Sequence, residues 1–576
     1  MPITLPPLAW LKGYTRGDLL SDTSAALVVT VMLIPQSLAY ALLAGLPPEM
    51  GLYSSILPLL AYACFGSSRT LSVGPVAVVS LMTATAIGKV AESGSLGYAS
   101  AAIAMSLLSG FMLLGMGLMR LGFLANLLSH PVTSGFISAS AIIIALSQLG
   151  KLLGVSLEGD NLIALVRSLG QHVTSADLRT AAIGMAVLLF LISVRRYLAK
   201  SLQRCGVPTG GAVAIARTAP VLAVIGTTLL SAQLEWDTLG VAIVGEVPIG
   251  LPAFSVPGMD LRLWSELAVS ALLISIIGFV ESVSVGTTLG AKRRERIDAD
   301  QELLGLGVAN VASGLSGGFP VSGGFSRSVV NFDAGARTQL AGVFTALCIA
   351  LVSLTLTPAL YHLPKATLAA TIIVAVLGLI DVKLLKSAWR YSTSDFTAIS
   401  TTLLGTLCLG VEIGVMLGIG VSILLHLHKT SRPHIAVVGE LPGTEHFRNV
   451  RRHDVITYPN IVSLRVDESL YFVNARYMED AIYAVVAEHA KGPEQALEHV
   501  ILQCTAVNEI DLSALESLES VMQRLDEQSI KLHLSEVKGP VMDALQRTSF
   551  IERLTGEVFL SQHQACEALK PQGSPC

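Results

Sequence analysis

The chain has 576 residues, of which 52% are hydrophobic and only 14% are charged, and its mean hydropathy is +0.64. A soluble globular domain carries about 25% charged residues, so this composition excludes an ordinary soluble enzyme or nucleic-acid-binding protein over most of the chain. The charge is unevenly divided, because residues 1–430 carry a net charge of +4 and residues 431–576 a net charge of −8. A slightly basic membrane part therefore precedes an acidic, soluble-looking domain.

Residues 1–22 contain scattered charges and prolines but no short apolar stretch of a secretory signal, so we expect a retained, cytoplasmic N-terminus. Fourteen candidate membrane segments follow within residues 23–428. Several of them are too short or too rich in Gly and Pro to be ordinary spans of about 20 residues. Their predicted starts lie near Ala25, Leu52, Val73, Ala99, Leu124, Leu178, Ala212, Leu263, Leu303, Phe325, Thr338, Thr367, Phe396 and Val411. The sequence thus predicts a polytopic α-helical membrane domain.

Basic residues indicate how these segments are oriented. Arg69, Arg120, the cluster Arg195–Arg204 and the run Lys292–Arg296 all follow even-numbered segments, which places them on one side of the membrane. Because loops rich in Lys and Arg stay in the cytoplasm, both termini are expected there, in a multi-pass protein of the cytoplasmic (cell) membrane. Seven segments per half is an odd number, so two related halves would be inverted relative to each other.

Two short, interrupted segments lie at matching places in the two halves. Ser72–Pro75 and Ser322–Arg327 are rich in small residues, and their central glycines are 250 residues apart. Each follows a segment that carries a polar residue in an apolar run, and these residues, Gln36 and Glu281, are 245 apart. A repeated pair of interrupted segments is the best sequence pointer to a transporter binding site. Because a helix that starts inside the membrane presents unpaired N–H groups and a positive dipole end, two such starts predict an anion site.

Gln36 and Tyr40 are the candidate site residues of the first segment. Pro35 opens the helix before Gln36, and the amide could donate to an anion without adding charge. Tyr40, one turn later, would line the same face. Each side chain also has a purely structural interpretation, as an interhelical hydrogen bond for Gln36 and as a packing or lipid-facing aromatic for Tyr40.

Glu281 and Arg327 are the charged candidates. An ionised carboxylate within the membrane is costly, so Glu281 should face a cavity, pair with a cation or hold a proton. Ser326 and Arg327 stand at the predicted start of the tenth segment, where a guanidinium could bind an anion or raise its local concentration. The alternatives are a structural ion pair between Arg327 and Glu281, an interfacial position for Glu281, and a backbone clamp for Arg327.

The last membrane segment and the remaining chain carry simpler patterns. The small-residue stripe Gly410–Gly418 predicts close helix packing, with Glu412 as a candidate interfacial charge. Past Arg432, strand-like runs alternate with helical ones, which predicts a small α/β domain over residues 433–570, followed by a disordered tail, residues 571–576. The predicted strands are His434–Val438, Ile461–Val466, His499–Gln503 and Ile530–Leu534.

The sequence contains no signature of catalysis or of a cofactor. It has no G-x-x-x-x-G-K-[ST] loop for a nucleotide, no zinc-like spacing of Cys or His, and no evident nucleophile–base pair. Its seven cysteines are scattered along the chain. We therefore expect no enzyme activity, no cofactor and no metal site.

Several sequence blocks resemble the sulfate permease (SulP) family. They are Ile34–Pro48 with the sequence IPQSLAYALLAGLPP, its continuation Gly51–Ser55, and the blocks Gly66–Val78, Gln301–Asn310 and Gly324–Asn331. The C-terminal domain resembles the STAS domain, which sulfate transporters share with anti-sigma-factor antagonists. The resemblance covers nearly the whole chain. It implies two inverted repeats of seven segments, in which segments 1–4 and 8–11 form a core domain and segments 5–7 and 12–14 a gate domain, followed by a cytoplasmic STAS domain.

The resemblance also implies an anion site between the starts of segments 3 and 10. By motif position, the residues that line it are Gln36, Tyr40, Val73, Gly74, Val76, Phe325, Ser326 and Arg327. It further implies a homodimer and proton coupling through Glu281, whose position carries an acid in plant-like and bacterial members. Anti-sigma antagonists carry a phosphorylatable Ser directly after an Asp, whereas here Leu512 separates Asp511 from Ser513. This departure weakens the expectation of regulation by phosphorylation and leaves Ser513 as a candidate.

Together these features predict a secondary active transporter, foremost a proton-coupled sulfate symporter. The expected partners are sulfate, a proton, membrane lipid, a second copy of the chain and a regulatory protein at the STAS domain, but no nucleic acid. Bicarbonate, a dicarboxylate or chloride remain alternative substrates, and sodium an alternative coupling ion, because backbone N–H groups bind any small anion. An uncoupled anion channel and a membrane-bound sensor are the alternatives of a different class.

Overall fold

The structure is a computed structural model in which the 576-residue chain forms two compact units, Met1–Ser422 and Ile423–Cys576, here called the membrane unit and the C-terminal unit. It describes residues 13–92, 95–126, 129–157, 159, 161–206, 218–255, 260–489 and 497–571. The predicted N-terminal residues 1–12 and the predicted tail, apart from Pro571, lie outside this description.

The membrane unit is built almost entirely of helices. Its described helices are α1 (Arg16–Leu43), α2 (Pro48–Tyr53), α3 (Leu57–Phe65), α4 (Ala77–Ile87), α5 (Leu96–Leu118), α6 (His130–Leu153), α7 (Leu162–His172), α8 (Leu178–Ser193), α9 (Ala199–Arg204), α10 (Ala219–Gln233), α11 (Leu261–Arg293), α12 (Ala299–Leu315), α13 (Phe325–Asp333), α14 (Leu340–Thr355), α15 (Lys365–Leu377), α16 (Val382–Tyr391), α17 (Thr393–Leu409) and α18 (Val411–Ser431), which continues into the C-terminal unit. Two short strands, β1 (Val73–Gly74) and β2 (Ser322–Gly323), precede α4 and α13. Among the described residues, seven helical stretches are long and apolar enough to cross a membrane, and α4, α10 and α14 are shorter apolar helices.

Among the described residues, each predicted segment start either coincides with a helix start or lies two to nine residues from one. Three predicted segment starts coincide with the first residue of a helix: Leu178, Phe325 and Val411. The segment expected from Leu124 starts later, because Leu121–Asn126 forms a 3₁₀ turn and α6 begins only at His130, with Pro131 in its first turn. Proline suits that position, since its missing N–H would have no partner in the first turn of a helix. The predicted start Ala212 lies outside the described residues.

Helix α1 starts within the stretch expected to precede the membrane domain. Thr15 caps it, because its Oγ1 accepts a hydrogen bond from the Asp18 N–H at 3.2 Å while the Asp18 carboxylate accepts one from the Thr15 N–H at 3.0 Å. One turn later Asp22 is fully buried, and its carboxylate accepts hydrogen bonds from the N–H and the hydroxyl of Thr338 at 3.1 and 2.6 Å. The buried acid thus joins the start of α1 to the chain that leads into α14.

The helices of the membrane unit pack in two groups. The most extensive contacts join α12 to α3 and α5, α11 to α5, and α14 to α1, and a second set joins α15 to α6 and α8, and α17 to α6. Glycine allows the closest of these approaches, since a Cβ atom at Gly307 of α12 would lie 2.9 Å from the backbone nitrogen of Leu114 in α5. We call α1–α5 with α11–α14 the core group, and α6–α10 with α15–α18 the gate group.

A buried carboxylate connects the two halves of the core group. Glu302, in the first turn of α12, is 0% exposed and accepts hydrogen bonds from the Tyr62 hydroxyl and from the N–H groups of Ser67 and Ser68, each at 2.8 Å. Its Oε1 also accepts a hydrogen bond from the Ser67 hydroxyl at 2.7 Å. The turn after α3 is fixed by these bonds, and a few residues later it continues into β1.

The C-terminal unit is a six-stranded sheet covered by helices, as the alternating pattern predicted. Its strands are β3 (Ile435–Glu440), β4 (Phe447–Asn449), β5 (Ile461–Val466), β6 (His499–Gln503), β7 (Lys531–Ser535) and β8 (Val558–Phe559), and its described helices are α19 (Ala475–His489), α20 (Leu512–Asp526), α21 (Gly539–Gln546), α22 (Phe550–Arg553) and α23 (Gln562–Leu569). The strand order is β4-β3-β5-β6-β7-β8, with β5 to β8 parallel and β3 and β4 antiparallel to their neighbours. Helix α20 buries Leu518, Met522 and Leu525 in the core of this unit.

The strand predictions differ from the structure mainly at the sheet edges. The second and third predicted strands agree with β5 and β6 at both ends, and the first and last are displaced by one or two residues. Strands β4 and β8 were not predicted, because they have only three and two residues. A run that short shows no alternation of apolar and polar side chains.

Candidate functional site

Two short helices start side by side within the core group. Strand β1 pairs with β2 in antiparallel register, with Val73 opposite Gly323 and Gly74 opposite Ser322. Helix α4 starts three residues after β1, and α13 starts two residues after β2. Neither start has a side-chain cap. The first-turn N–H groups of both helices and the positive ends of their dipoles therefore lie close together, which is an arrangement suited to an anion.

Serine side chains hold this pair of strands in place. The Ser328 hydroxyl accepts a hydrogen bond from the Ser72 N–H at 2.9 Å, and the Ser282 hydroxyl accepts one from the Gly323 N–H at 2.9 Å. Ser322 donates to the Gly278 carbonyl at 2.9 Å. Because Gly278 and Ser282 belong to α11, the pair of half-helices is attached to the same helix that carries Glu281.

Arg327 fills the space beside the two strands. Its side chain is only 2% exposed, and both Nη1 and Nη2 lie shielded without a hydrogen-bond partner. A Cβ atom at Gly74 would lie 2.9 Å from Nη1, and one at Gly324 would lie 2.9 Å from Nη2. The glycines on either side therefore make room for the guanidinium. A buried cation whose donors are unused is an unusual and costly arrangement unless an anion completes it.

Glu281 is the second charged residue at this place. Its Oε2 is shielded from solvent and has no hydrogen-bond partner. Glu281 and Tyr40 are near enough to Arg327 to interact with it electrostatically. Among the described residues, however, no ion pair joins Arg327 to Glu281. The alternative of a permanent salt bridge between them is therefore not what this structure contains.

A cavity of about 330 Å³ separates the core group from the gate group next to these half-helices. Four predicted site residues border it from the core side: Gln36, Tyr40, Phe325 and Ser326. Val73, Gly74, Val76 and Arg327 are buried and do not border it. The structure thus brings the predicted residues to one place but in two layers, with four on the cavity wall and four behind it.

The gate side of the cavity contains residues that the sequence analysis did not single out. They include Leu191, Arg195, Pro220, Thr371, Val374 and Gly378. Arg195 is the one charged side chain among the described residues that border the cavity. The sequence signal for Arg195 is its place in the basic cluster at the end of the sixth segment, but such a cluster is already explained by a cytoplasmic loop. Among described residues, no group of three or more His, Cys, Asp or Glu side chains is placed to hold a metal ion.

The core and gate groups are joined at the face where α1 ends. Lys151 of α6 donates to the Leu42 carbonyl of α1 at 2.8 Å. Glu412, at the start of α18, forms an ion pair with Lys89, which follows α4, and accepts a hydrogen bond from the Ser270 hydroxyl of α11 at 2.7 Å. We call this the closed face. Lys151 lies near Lys365 at the start of α15, whereas Arg195 contacts Val374 near the end of α15, so Arg195 lies towards the opposite face.

In the C-terminal unit, α20 begins with the sequence Asp511-Leu512-Ser513, which differs from the adjacent Asp and Ser of anti-sigma-factor antagonists. Asp511 caps the helix by accepting a hydrogen bond from the Ala514 N–H at 2.8 Å. Leu512 and Ser513 both lie exposed beside this cap. The Ser513 hydroxyl is therefore accessible, one position later than in the antagonist pattern.

The chain matches known proteins over nearly its whole length. Residues 19–402 match the sulfate permease family, and residues 452–565 match the STAS domain. The chain is 36% identical to sulfate transporter 4.1, chloroplastic, of Arabidopsis thaliana in an alignment of 576 positions that covers 98% of this chain and 82% of that protein. It is 33% identical to a probable sulfate transporter of Mycobacterium tuberculosis over 572 residues, 98% of both chains.

Two solved structures share the fold. The murine Slc26a9 anion transporter in the inward-facing state superposes with a TM-score of 0.88 and 22% identity, covering 98% of this chain and 93% of the other. The transmembrane domain of a cyanobacterium bicarbonate transporter, BicA, gives a TM-score of 0.59 and 21% identity over 71% of this chain and 98% of the other. At such identities the likeness concerns the fold alone. By its own sequence and its relatives, the chain belongs to the sulfate permease family, a family of membrane transporters and not of enzymes, and it ends in a STAS domain.

Proposed function

We propose that this protein is a secondary active anion transporter that carries sulfate together with protons. The observation that carries the proposal is the buried Arg327 guanidinium, with two unpartnered Nη groups, set beside two uncapped half-helix starts. The guanidinium and the two helix starts supply N–H donors and positive charge. Among the described residues, no acceptor binds either Nη atom, and no side chain caps either helix start. A dianion such as sulfate completes them, because its oxygens accept several hydrogen bonds at once.

In this proposal the predicted residues act in two layers. Gln36, Tyr40, Phe325 and Ser326 receive the anion from the cavity that they border. The four residues behind the wall, Val73, Gly74, Val76 and Arg327, then supply backbone groups and the guanidinium. Support for sulfate comes from the relatives that are named sulfate transporters.

Glu281 is the proposed proton carrier. Among the described residues, its Oε2 has no hydrogen-bond partner and no cation forms an ion pair with it. When the anion neutralises Arg327, the nearby cation no longer favours ionised Glu281, so anion binding and protonation assist each other. One proton with one dianion leaves a net negative charge, so the number of protons per sulfate is part of what must be measured.

Transport in this proposal uses alternating access. Fourteen segments form two inverted repeats of seven, and together they build the core and the gate. The core moves against the gate, and both termini lie in the cytoplasm, on the inner side of the cell membrane. The contacts of Lys89 and Ser270 with Glu412 support this division, since they join the two groups at the closed face only. They would have to break when the cavity opens on that side.

The remaining layout is also part of the proposal. Residues 1–22 form the cytoplasmic N-terminus, 23–428 the transport domain, 433–570 a cytoplasmic STAS domain that docks a regulatory protein, and 571–576 a disordered tail. The transporter works as a homodimer surrounded by lipid. Deleting the chain after Arg432 tests the role of the last domain, because a regulatory domain can be removed without loss of transport, whereas a structural one cannot.

The decisive test is uptake of radiolabelled sulfate into proteoliposomes, with and without an inward proton gradient. We expect gradient-driven accumulation that unlabelled sulfate competes away. Glu281→Gln should abolish the accumulation but leave sulfate binding within about twofold, because the amide cannot release a proton. The matched control is Glu266→Gln on the same helix, an exposed residue paired with Arg262, which should behave as wild type.

Three results would contradict the proposal. Absence of sulfate uptake by folded wild-type protein would overturn the substrate, and bicarbonate, dicarboxylates and chloride would be tried next. Normal gradient-driven uptake by Glu281→Gln would remove Glu281 from the coupling. Currents that do not saturate with substrate concentration would replace the symporter with a channel.

A further inference from the structure

Arg195 stands at an irregular turn in the gate group. The five residues Val194–Leu198 form a π-helical turn between α8 and α9. From there Nη1 of Arg195 donates to the Val374 carbonyl near the end of α15 at 2.9 Å. A Cβ atom at Gly378, which follows α15, would lie 2.9 Å from Nη2. The guanidinium is therefore seated against the carboxyl end of α15, beside Gly378.

This contact alone would make Arg195 an ordinary helix-end cation. A guanidinium at the carboxyl end of a helix is favoured by the dipole and by free carbonyls. The structure shows more, because Arg195 also borders the cavity and is the one charged side chain among the described residues that do so. It is exposed, and a guanidinium has five N–H donors, of which the Val374 carbonyl takes one. Donors thus remain for a second acceptor on the cavity side.

The positions of the two arginines differ in a way that suggests their order of use. Arg327 lies in the core group, behind the wall formed by Phe325 and Ser326, whereas Arg195 lies on the gate wall, towards the face opposite the closed face. An anion that enters the cavity from that opposite face meets Arg195 before it can reach Arg327. Low-dielectric walls around a single cation concentrate anions at it.

We propose that Arg195 is a specificity-determining residue that captures the anion on the gate wall when the cavity is open opposite the closed face, and delivers it to Arg327. This proposal rests on the anion transport by alternating access that is proposed above. Because one arginine belongs to the gate and the other to the core, capture by Arg195 is lost when the core moves and the cavity opens at the closed face. Arg195 therefore affects affinity at one face of the membrane only, and it favours dianions over monoanions.

The experiment measures KM for sulfate at each face, in proteoliposomes sorted by the accessibility of a C-terminal tag. Arg195→Gln should raise KM about tenfold at one face and leave it within twofold at the other, with kcat within twofold. Arg195→Lys keeps the charge and should recover most of the affinity. The matched control is Arg196→Gln, since Arg196 is adjacent and exposed, contacts the ring of Tyr197 at 5.7 Å and does not border the cavity.

Two further readouts distinguish capture from a helix-end role. The KM effect should shrink at high salt, because an exposed charge is screened, and it should be smaller for chloride and bicarbonate than for sulfate. Equal KM values for Arg195→Gln and Arg196→Gln, or an equal effect at both faces, would overturn the proposal and leave Arg195 as a cap of α15.

Binding of radiolabelled sulfate to the purified protein separates this proposal from the transport function. If wild type binds sulfate without moving it, the proposed symport fails, while weaker binding by Arg195→Gln than by Arg196→Gln still supports capture. If Arg195→Gln and Arg196→Gln bind sulfate equally, capture fails whatever the transport result. If wild type binds no sulfate at all, both proposals fail.

Discussion

The membrane unit contains two acids in neighbouring core helices, one fully buried and one half-buried, whose hydrogen bonding is opposite. Glu302 accepts hydrogen bonds from the Tyr62 hydroxyl and from the backbone of Ser67 and Ser68, all at 2.8 Å. Glu281 is half-buried, and its Oε2 is shielded from solvent without a hydrogen-bond donor among the described residues. Both lie in the membrane unit, where an ionised carboxylate needs partners, so the two acids differ in their hydrogen bonding as well as in their burial.

The comparison teaches how to tell a structural charge from a functional one in this chain. A carboxylate that satisfies many fixed donors cannot change its protonation or its partners without disturbing the surrounding turn. One that satisfies none can do both at small cost to the fold. By the same criterion Arg327, whose Nη groups are unused, belongs with Glu281, and Asp22, which binds Thr338, belongs with Glu302.

The largest expected effect is that of Glu302→Ala. The change leaves the N–H groups of Ser67 and Ser68 buried without an acceptor, at about 1–3 kcal/mol for each group. We expect loss of monodisperse protein in detergent, or a fall of about 10 °C in the melting temperature. Glu266→Ala, which removes an exposed acid of the neighbouring helix α11, is the comparison variant. A Glu302→Ala protein as stable as wild type would break the distinction.

Arg327→Gln should have the next largest effect, on binding instead of stability. Hydrogen bonds to a charged group contribute about 1.5–3 kcal/mol, so sulfate affinity should fall by about 10- to 100-fold. The melting temperature of the anion-free protein should stay the same or rise, since a buried and unpaired charge has been removed. Calorimetric binding and thermal unfolding check both, and a melting temperature lowered as far as in Glu302→Ala would place Arg327 among the structural charges.

Glu412→Gln tests a case between the two kinds. Glu412 has partners, but Lys89 and Ser270 belong to the core whereas Glu412 belongs to the gate, so its bonds hold only while the closed face is closed. We expect the open state of that face to become about two- to fivefold more populated. The measurement uses Gln36→Cys in a variant without the native cysteines, and a maleimide reagent added from that face labels it when the face opens. An unaltered labelling rate would show that the contact has no part in closure.

The smallest effect concerns a satisfied pair in the C-terminal unit. His533 accepts a hydrogen bond from the Glu557 N–H at 2.9 Å, and its other ring nitrogen is 3.1 Å from His499. Burial, with His499 and Lys531 nearby, lowers the pKa of His533 from 6.5 to about 4. The neutral ring therefore stabilises the domain fully above pH 6.5, and this contribution is lost as the pH falls towards 4.

Urea unfolding of residues 433–571 at pH 7.5 and pH 5 measures that contribution. The midpoint should fall on acidification, and the fall should be smaller in His533→Gln, which keeps a donor and an acceptor but does not titrate in this range. An equal pH dependence in both proteins would mean that other groups govern the acid stability of this unit.

Much of the site was predictable because its residues break local patterns. Polar and charged side chains are rare inside apolar segments, so Gln36, Glu281 and Arg327 were visible from the sequence, and the small-residue clusters Ser322–Gly324 and Gly410–Gly418 marked the starts of α13 and α18. The two layers of the site were not visible. Whether Phe325 faces the cavity and Val76 lies behind it depends on how α4 and α13 pack, and helical periodicity in such short elements carries too little signal to decide this.

The contacts between distant parts of the chain were beyond local patterns altogether. Tyr62 and Glu302 are 240 residues apart, and each alone has an ordinary interpretation as a packing aromatic or a helix-start acid. Arg195 was interpreted only as a marker of orientation, because a basic cluster at a segment end is adequately explained by the cytoplasmic loop. Arg195 borders the cavity from within the irregular turn Val194–Leu198, and periodicity predicts neither.

The pairing of β1 with β2 also sets the order in which the molecule can be completed during synthesis. The two strands are about 250 residues apart, and a ribosome adds about 5–20 residues per second. For a time on the order of 10–50 s, α4 must wait in the translocation machinery or the bilayer with the edge of β1 unpaired. The centre of the core group therefore stays incomplete throughout synthesis of the first half, and a nascent first half is the stage most exposed to quality control.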